Sequence, residues 1–156
     1  MMMARKFQKF ITIILSAILL HVFAGVSAEI KITSDQFIVN ETSSSATFTG
    51  NVIIKQPDLI VYANKVVVHY GAGGPSDLKD FEAIGGVKIV QPEQTAKADR
   101  GVYNPKSKIL TLYDNVAVTN ESGTIMGSEL IIDTISGISK FPSQSDGGRV
   151  TAVFSQ

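Results

Sequence analysis

Gly50-Asn51-Val52-Ile53-Ile54, followed by Ala63-Asn64-Lys65-Val66-Val67-Val68-His69-Tyr70, contains both landmarks of a repeat that runs through most of this chain. Gly85-Gly86-Val87 and Asp114-Asn115-Val116 echo the first landmark, and Ser34-Asp35-Gln36-Phe37, Ala98-Asp99-Arg100-Gly101 and Gly127-Ser128-Glu129-Leu130 echo the second. In all three complete units the small residue that opens the second landmark comes 13 residues after the first landmark begins. Those small residues fall at 34, 63, 98 and 127, so the spacing is 29, 35 and 29. The longer middle interval has a visible cause in Gly71-Ala72-Gly73-Gly74-Pro75-Ser76, a six-residue, turn-rich insertion. Self-similarity that holds two landmarks in phase means stacked supersecondary units sharing one core.

The units read as strands. Val52/Ile54, Val87/Ile89 and Val116/Val118 are apolar on one parity while the other parity is mixed, which is the period of a strand with one buried face. The second landmark behaves alike through Phe37/Val39, Val66/Val68 and Leu130/Ile132, with Gly101/Tyr103 a weaker copy. β-Branched residues crowd the runs, and turn formers crowd the gaps at Asn40-Glu41, Gln56-Pro57-Asp58, Gln91-Pro92-Glu93 and Asn104-Pro105-Lys106. Beyond the first 28 residues no apolar helical period outlasts about two turns. The pattern therefore predicts an all-β fold of roughly a dozen or more short strands.

The first 28 residues carry a different signal. Arg5, Lys6 and Lys9 precede a largely apolar run, residues 10–23, and Val26-Ser27-Ala28 offers small residues where a signal peptidase cuts. This predicts a secretory signal, residues 1–28, cleaved after Ala28, and a single domain over residues 29–156. The apolar run is broken by Thr12, Ser16 and His21 and falls short of the ~20 residues a spanning helix needs. With no cysteine in the chain, a lipid-modified signal is excluded.

Removing the signal takes three of the 14 basic residues and none of the 14 acidic ones, leaving 11 against 14. A mildly acidic domain without a basic stripe disfavours nucleic acid as a partner. The remaining length is enough for one core without disulfides and too short for two ordinary domains.

Catalysis finds little support. After the signal the chain has one histidine, His69, and no cysteine, which excludes thiol nucleophiles and multi-histidine metal sites, and no cofactor is expected. His69 holds the repeat position that Asn40, Asn104 and Asp133 also hold, so a solvent-facing strand end is the simpler reading. Asp77, Asp80 and Glu82 offer the paired acids a glycosidase would use, but read more simply as a charged loop at the insertion. Residues 71–74 are glycine-rich yet lead into neither a helix nor a Lys-Ser/Thr pair, so they make no phosphate cradle. Asn40-Glu41-Thr42 and Asn120-Glu121-Ser122 fit a glycosylation acceptor and equally well fit turns between strands.

The recurring G-N-V-x-I and A-D/N-x-V-x-V-x-Y pairing resembles the OstA-like family of periplasmic lipopolysaccharide transport proteins, of the LptA type. The resemblance spans residues 30–154 and includes a closing Gly147-Gly148-Arg149-Val150 before an alternating strand. Gly86, Asp114 and Gly101 depart from the pattern, which affects local pairing more than the fold. The resemblance implies a single antiparallel β-jellyroll, opened as a V or "taco" with an apolar cleft, and a periplasmic, non-enzymatic lipid carrier that bridges inner and outer membrane.

Parity marks Phe37, Val39, Phe48, Val52, Ile54, Val66, Val68, Val87, Ile89, Leu112, Val116, Val118, Leu130 and Ile132 as inward. From the pattern alone a closed core is the simpler reading. The resemblance instead implies a lipid groove, in which each buried acyl methylene is worth about 0.8 kcal/mol. Lys31, Lys65, Lys97 and Arg100 are candidates for lipid phosphates at the rim, though solvated strand faces explain them equally well. Both chain ends look like strands without proline: Ile30, Lys31 and Ile32 at one, Val150, Ala152 and Phe154 at the other. Such edges accept strands from other molecules, and a first edge meeting a last edge gives an open head-to-tail row. The resemblance implies that arrangement too, with β-jellyroll domains of inner- and outer-membrane components at its ends. Residues 143–148 are long enough to cover the last edge instead. With no nucleotide site, such a carrier is a passive section of a pathway powered elsewhere. Two readings from other classes stay open: a structural or adhesive β-solenoid with a closed core, and a carbohydrate-active β-helix, whose paired-acid cleft is not evident.

Overall fold

A computed structural model describes residues 30–143, 145 and 148–156. The secretory-signal reading, and residues 144, 146 and 147 of the closing segment, lie outside the described residues. Among the described residues ten strands form one antiparallel sheet and there is no helix. They are β1 (Lys31–Thr33), β2 (Gln36–Asn40), β3 (Ser45–Gln56), β4 (Leu59–Gly71), β5 (Gly74–Val90), β6 (Gln94–Asn104), β7 (Ile109–Asn120), β8 (Gly123–Asp133), β9 (Ser139–Lys140) and β10 (Thr151–Phe154). From β3 to β8 each strand pairs with the next in sequence, and the first and last strands do not meet, so the sheet stays open.

The repeat's first landmark is the corner of this sheet. Gly50 and Asn51, Gly85 and Gly86, and Asp114 and Asn115 are three consecutive pairs with positive φ, between +45° and +81°. Each pair faces a single residue across the bulge: Thr49/Val52 in β3 faces Lys65/Ala63 in β4, Ile84/Val87 in β5 faces Arg100/Ala98 in β6, and Tyr113/Val116 in β7 faces Glu129/Gly127 in β8. Two residues against one is a β-bulge, which bends the strand, and glycine, asparagine and aspartate are the residues that tolerate the left-handed conformation it needs. The sequence's short strands are thus halves of six strands of 11–17 residues, each folded at its middle. Stacked corners fold the whole sheet into two facing walls.

The second landmark lies beside the first, which is why their phase is fixed. Asp35 takes a hydrogen bond from the Asn51 side chain at 2.8 Å and gives its backbone N–H to the Gly50 carbonyl at 2.9 Å. Asp99 accepts from Asn115 in the same way at 2.7 Å. In the middle unit Gly86 replaces the asparagine donor, and Asn64 packs against Gly85 so closely that a β-carbon there would stand 2.7 Å from its amide nitrogen. The small residues have their own cause. Val52 faces Ala63, Val87 faces Ala98 and Val116 faces Gly127, so a buried valine meets a small residue at each corner, and at Gly127 the Phe141 ring takes the space, 2.7 Å from where a β-carbon would stand.

The insertion lengthens one hairpin. Asn40 pairs with Ser45 and Asn104 with Ile109, and their side-chain oxygens cap the following turns through the N–H groups of Ser43 and of Lys106 and Ser107. Asp133 does the same for Ile135 and Ser136. At the equivalent position His69 pairs with Asp80, but the strands run on to Gly71 and Gly74 before turning. The segment read as a charged loop is therefore strand β5, whose Asp80 and Glu82 alternate with inward Phe81 and Ala83.

Candidate functional site

Register groups the inner side chains into ranks that run across the stack. One rank is Val39, Ala46, Val68, Phe81, Tyr103, Leu110 and Ile132; the next is Phe37, Phe48, Val66, Ala83, Gly101, Leu112 and Leu130. Across the corner, a rank of the opposite wall is Ile32, Ile54, Val61, Ile89, Ala96, Val118, Ile125 and Ala152. Val52, Val66, Val68, Val87, Ile89, Leu112, Val116 and Leu130 are buried, and Phe48, Ile54, Val118 and Ile132 pack against them half-buried. Phe37 and Val39 sit on the edge strand β2 and are exposed, with Phe37 stacked on Phe48 at 4.7 Å between ring centroids.

Among the described residues two apolar cavities lie between the walls. The larger, about 510 Å³, is bounded on one wall by Ile54, Leu59, Val61 and Ile89 and on the other by Phe81, Ala83, Tyr103 and Leu110, with Gln56, Asp58, Gln91 and Thr134 at its mouth. The smaller, about 340 Å³, lies at the β1–β2 end, where Ile30 and Ile32 face Val39, Phe48, Leu78 and Phe81. Of the residues expected inward, Phe37, Val39, Phe48, Ile54, Val66, Val68, Val87, Ile89 and Leu112 line these spaces. Val52, Val116, Val118, Leu130 and Ile132 lie in or against the packed core and line neither. Both open and closed readings of the apolar face therefore have a counterpart here: a packed spine at the corner and an open space toward the rim.

Several lining residues escaped the sequence reading. Phe81 and Ala83 were hidden by the charged residues that alternate with them, although that alternation is itself the signal. Leu59 and Val61 were missed because they follow the Pro57-Asp58 turn. Gly101, read as an interruption, is buried opposite Leu112; a β-carbon there would stand 3.0 Å from the Leu112 Cδ2, so the glycine keeps space open for that side chain and for the cavity.

The four basic residues expected at the rim are on the outside. Lys31, Lys65 and Lys97 are exposed on the opposite parity to the cavity-lining residues. Arg100 donates to Glu82 at 2.8 Å and lies over the Tyr113 ring at 4.3 Å, so it is committed to the outer face rather than the rim. Asp80 pairs with His69 at 2.6 Å and Asp77 with Lys106 at 3.2 Å, which leaves the three carboxylates of this region each with its own partner rather than converging on a substrate. Among the described residues no group of three or more His, Cys, Asp or Glu side chains is placed to hold a metal.

The Lys106 ammonium that donates to Asp77 holds its carboxyl below the ordinary 3.8. A depressed folded-state value contributes stability that is present above the ordinary value and lost as pH falls through the lowered one. Asp77→Asn should therefore melt slightly below the parent at neutral pH, with the difference closing as the acid is reached; thermal melts of the two proteins across pH check this.

The ends of the stack carry exposed apolar side chains. Ile30, Phe37 and Ile38 are exposed at the first end, and Val150, Val153 and Phe154 at the last, with Phe154 71% exposed. β1 and β2 pair only with β3, and β10 only with β8, so each leaves one edge unpaired among the described strands. Of the residues expected at these edges, Ile30, Lys31, Val150, Ala152 and Phe154 are exposed and Ile32 is half-buried.

Comparison with known proteins agrees with this architecture. The family described as "LptA/(LptD N-terminal domain) LPS transport protein" matches residues 31–138. An uncharacterized protein of Rhizobium meliloti (strain 1021) is 28% identical over 128 residues, covering 78% of this chain and 68% of that one. The lipopolysaccharide export system protein LptA of Haemophilus influenzae is 30% identical over 115 residues, covering 69% of this chain and 66% of that protein. Among solved structures, LptH, the LptA-homologous periplasmic component of the lipopolysaccharide transport device of Pseudomonas aeruginosa, shares the fold with a TM-score of 0.69 at 18% identity, over 83% of this chain and 96% of LptH. With its bulged corners, its open sheet and a match over most of its described length, the chain belongs to the LptA/LptD N-terminal-domain family of lipopolysaccharide transport proteins.

Proposed function

We propose that this chain is a non-enzymatic periplasmic carrier that holds the acyl chains of lipopolysaccharide between its two walls on their way from the inner to the outer membrane. The observation that carries the reading is the pair of apolar cavities lined from both walls. Aliphatic side chains there can bury acyl methylenes at about 0.8 kcal/mol each without any directional contact. Spreading the affinity over many equal contacts also suits a carrier, since no single point holds the lipid fast. Cleavage after Ala28 would release residues 29–156 as the working domain.

In the same reading copies join head to tail, the β1–β2 edge of one meeting the β10 edge of the next, with β-jellyroll domains of the membrane-bound components at the two ends of the row. Unpaired strands and exposed apolar side chains at both ends support this.

A photo-crosslinking residue at Ile54, with Ile53 as the control, tests the groove in Gram-negative cells. Ile54 lines the larger cavity, whereas Ile53 has the opposite parity and does not. Adducts with lipopolysaccharide are expected at Ile54 and not at Ile53. Absence at both positions in a folded, exported protein would leave the closed structural module.

A further inference from the structure

We propose that Phe81 divides the groove into two acyl chambers, so that a chain longer than one chamber must displace its ring to continue. The proposal rests on the acyl-carrier reading above and adds a residue that sets how that carrier responds to chain length. Phe81 is the side chain common to both cavities. It stands between Val68 and Tyr103 in its rank, half-buried, with its ring 6.4 Å from the Tyr103 ring and tilted 38° to it. On one side of it lies the larger chamber, with Leu110 and Leu112; on the other lies the smaller, with Phe48 and Leu78.

The smaller chamber owes part of its wall to the insertion. Tyr70, Pro75 and Leu78 line it, and all three lie in the segment beyond the His69–Asp80 pair, where the other hairpins have already turned. The six added residues thus extend β4 and β5 along the mouth between β1 and β2, and Phe81, one residue inside that pair, closes the inner end of the space they enclose. An aromatic ring in this position is held by its neighbours on the strand but turns about two side-chain bonds, which suits a partition that yields to a passing chain and closes behind it.

The consequence is measurable in a series of saturated fatty acids, from octanoate through stearate, titrated calorimetrically below their critical micelle concentrations into the chain that begins at Glu29. While a chain fills one chamber, affinity should rise about fourfold per methylene. At the length that reaches Phe81 the rise should stop, because further methylenes must move the ring. In Phe81→Ala the rise should continue to longer chains, and in Phe81→Leu, which keeps an apolar side chain in the rank and preserves the fold, the break should weaken or move to longer chains. An unbroken rise in the parent protein, or a break unchanged in Phe81→Leu, overturns the partition while leaving the acyl reading intact. Failure of every chain length to bind the folded protein overturns both.

Discussion

Leu112→Ala should cost about 2–5 kcal/mol of folding stability, toward the upper end of that range. Leu112 is fully buried, at 0% exposure, in the middle of its rank between Gly101 on β6 and Leu130 on β8. The cost of such a truncation depends on how far the surroundings collapse into the space left behind. Here they cannot collapse far. On one side Gly101 has no side chain to move, and in front lies a cavity that Leu112 already lines. The void created would merge with that cavity instead of being refilled. Urea unfolding should show a lower midpoint with little change in slope, and Lys97→Ala on the exposed outer face should stay within about 0.5 kcal/mol of the parent. A loss at Leu112 of under about 1 kcal/mol would mean that the walls can approach one another, so that the groove closes when empty.

Gly123→Val should detach β10 while leaving the rest of the sheet folded. Gly123 has φ +147°, a conformation L side chains rarely adopt, and a β-carbon there would run into the Val153 carbonyl oxygen and stand 2.9 Å from the Phe154 Cα. Gly123 pairs with Phe154 in the four-residue ladder that joins β10 to β8, next to a hydrogen bond from the Ser155 N–H to the Ser122 carbonyl at 3.0 Å. The corner bulges and the buried valines lie outside that ladder, so the melting temperature should fall by no more than a few degrees. Proteolysis should now cut within residues 149–156, and sedimentation, where the parent forms the proposed head-to-tail row, should show the variant as single copies. Protection of that segment in the variant would show that the strand accommodates the side chain. A row that persisted after the segment was cut would place the contact between copies on another surface.

These two sites differ in how they could be read. The all-β class and the inward parity of Val52, Val66, Val87, Leu112 and Leu130 follow from period-2 alternation, because a strand with one buried face writes that face directly into every second residue. The repeat could be found without knowing its purpose. Gly50-Asn51 and Asp114-Asn115 look like turns because the residues that permit positive φ are the same in a turn and in a bulge. Only the pairing across to β4 and β8 shows that the chain bends there and continues in the same strand.

Local sequence determined the strands, their faces and the six-residue excess, since each depends on a residue's own conformational limits or on neighbours a few positions away, and it displayed the phase of the landmarks, whose cause is the contact between neighbouring strands. The tertiary structure decided the rest: that stacked bulges make a corner, that Arg100 spends its charge on Glu82, and that Phe81 touches two cavities at once. It also decided that Val52 belongs to a packed spine while Ile54, two residues on, faces an open space. Parity gives both residues the same face, but the distance between facing walls grows from the corner to the rim, and that distance is a property of the folded sheet that no single strand contains.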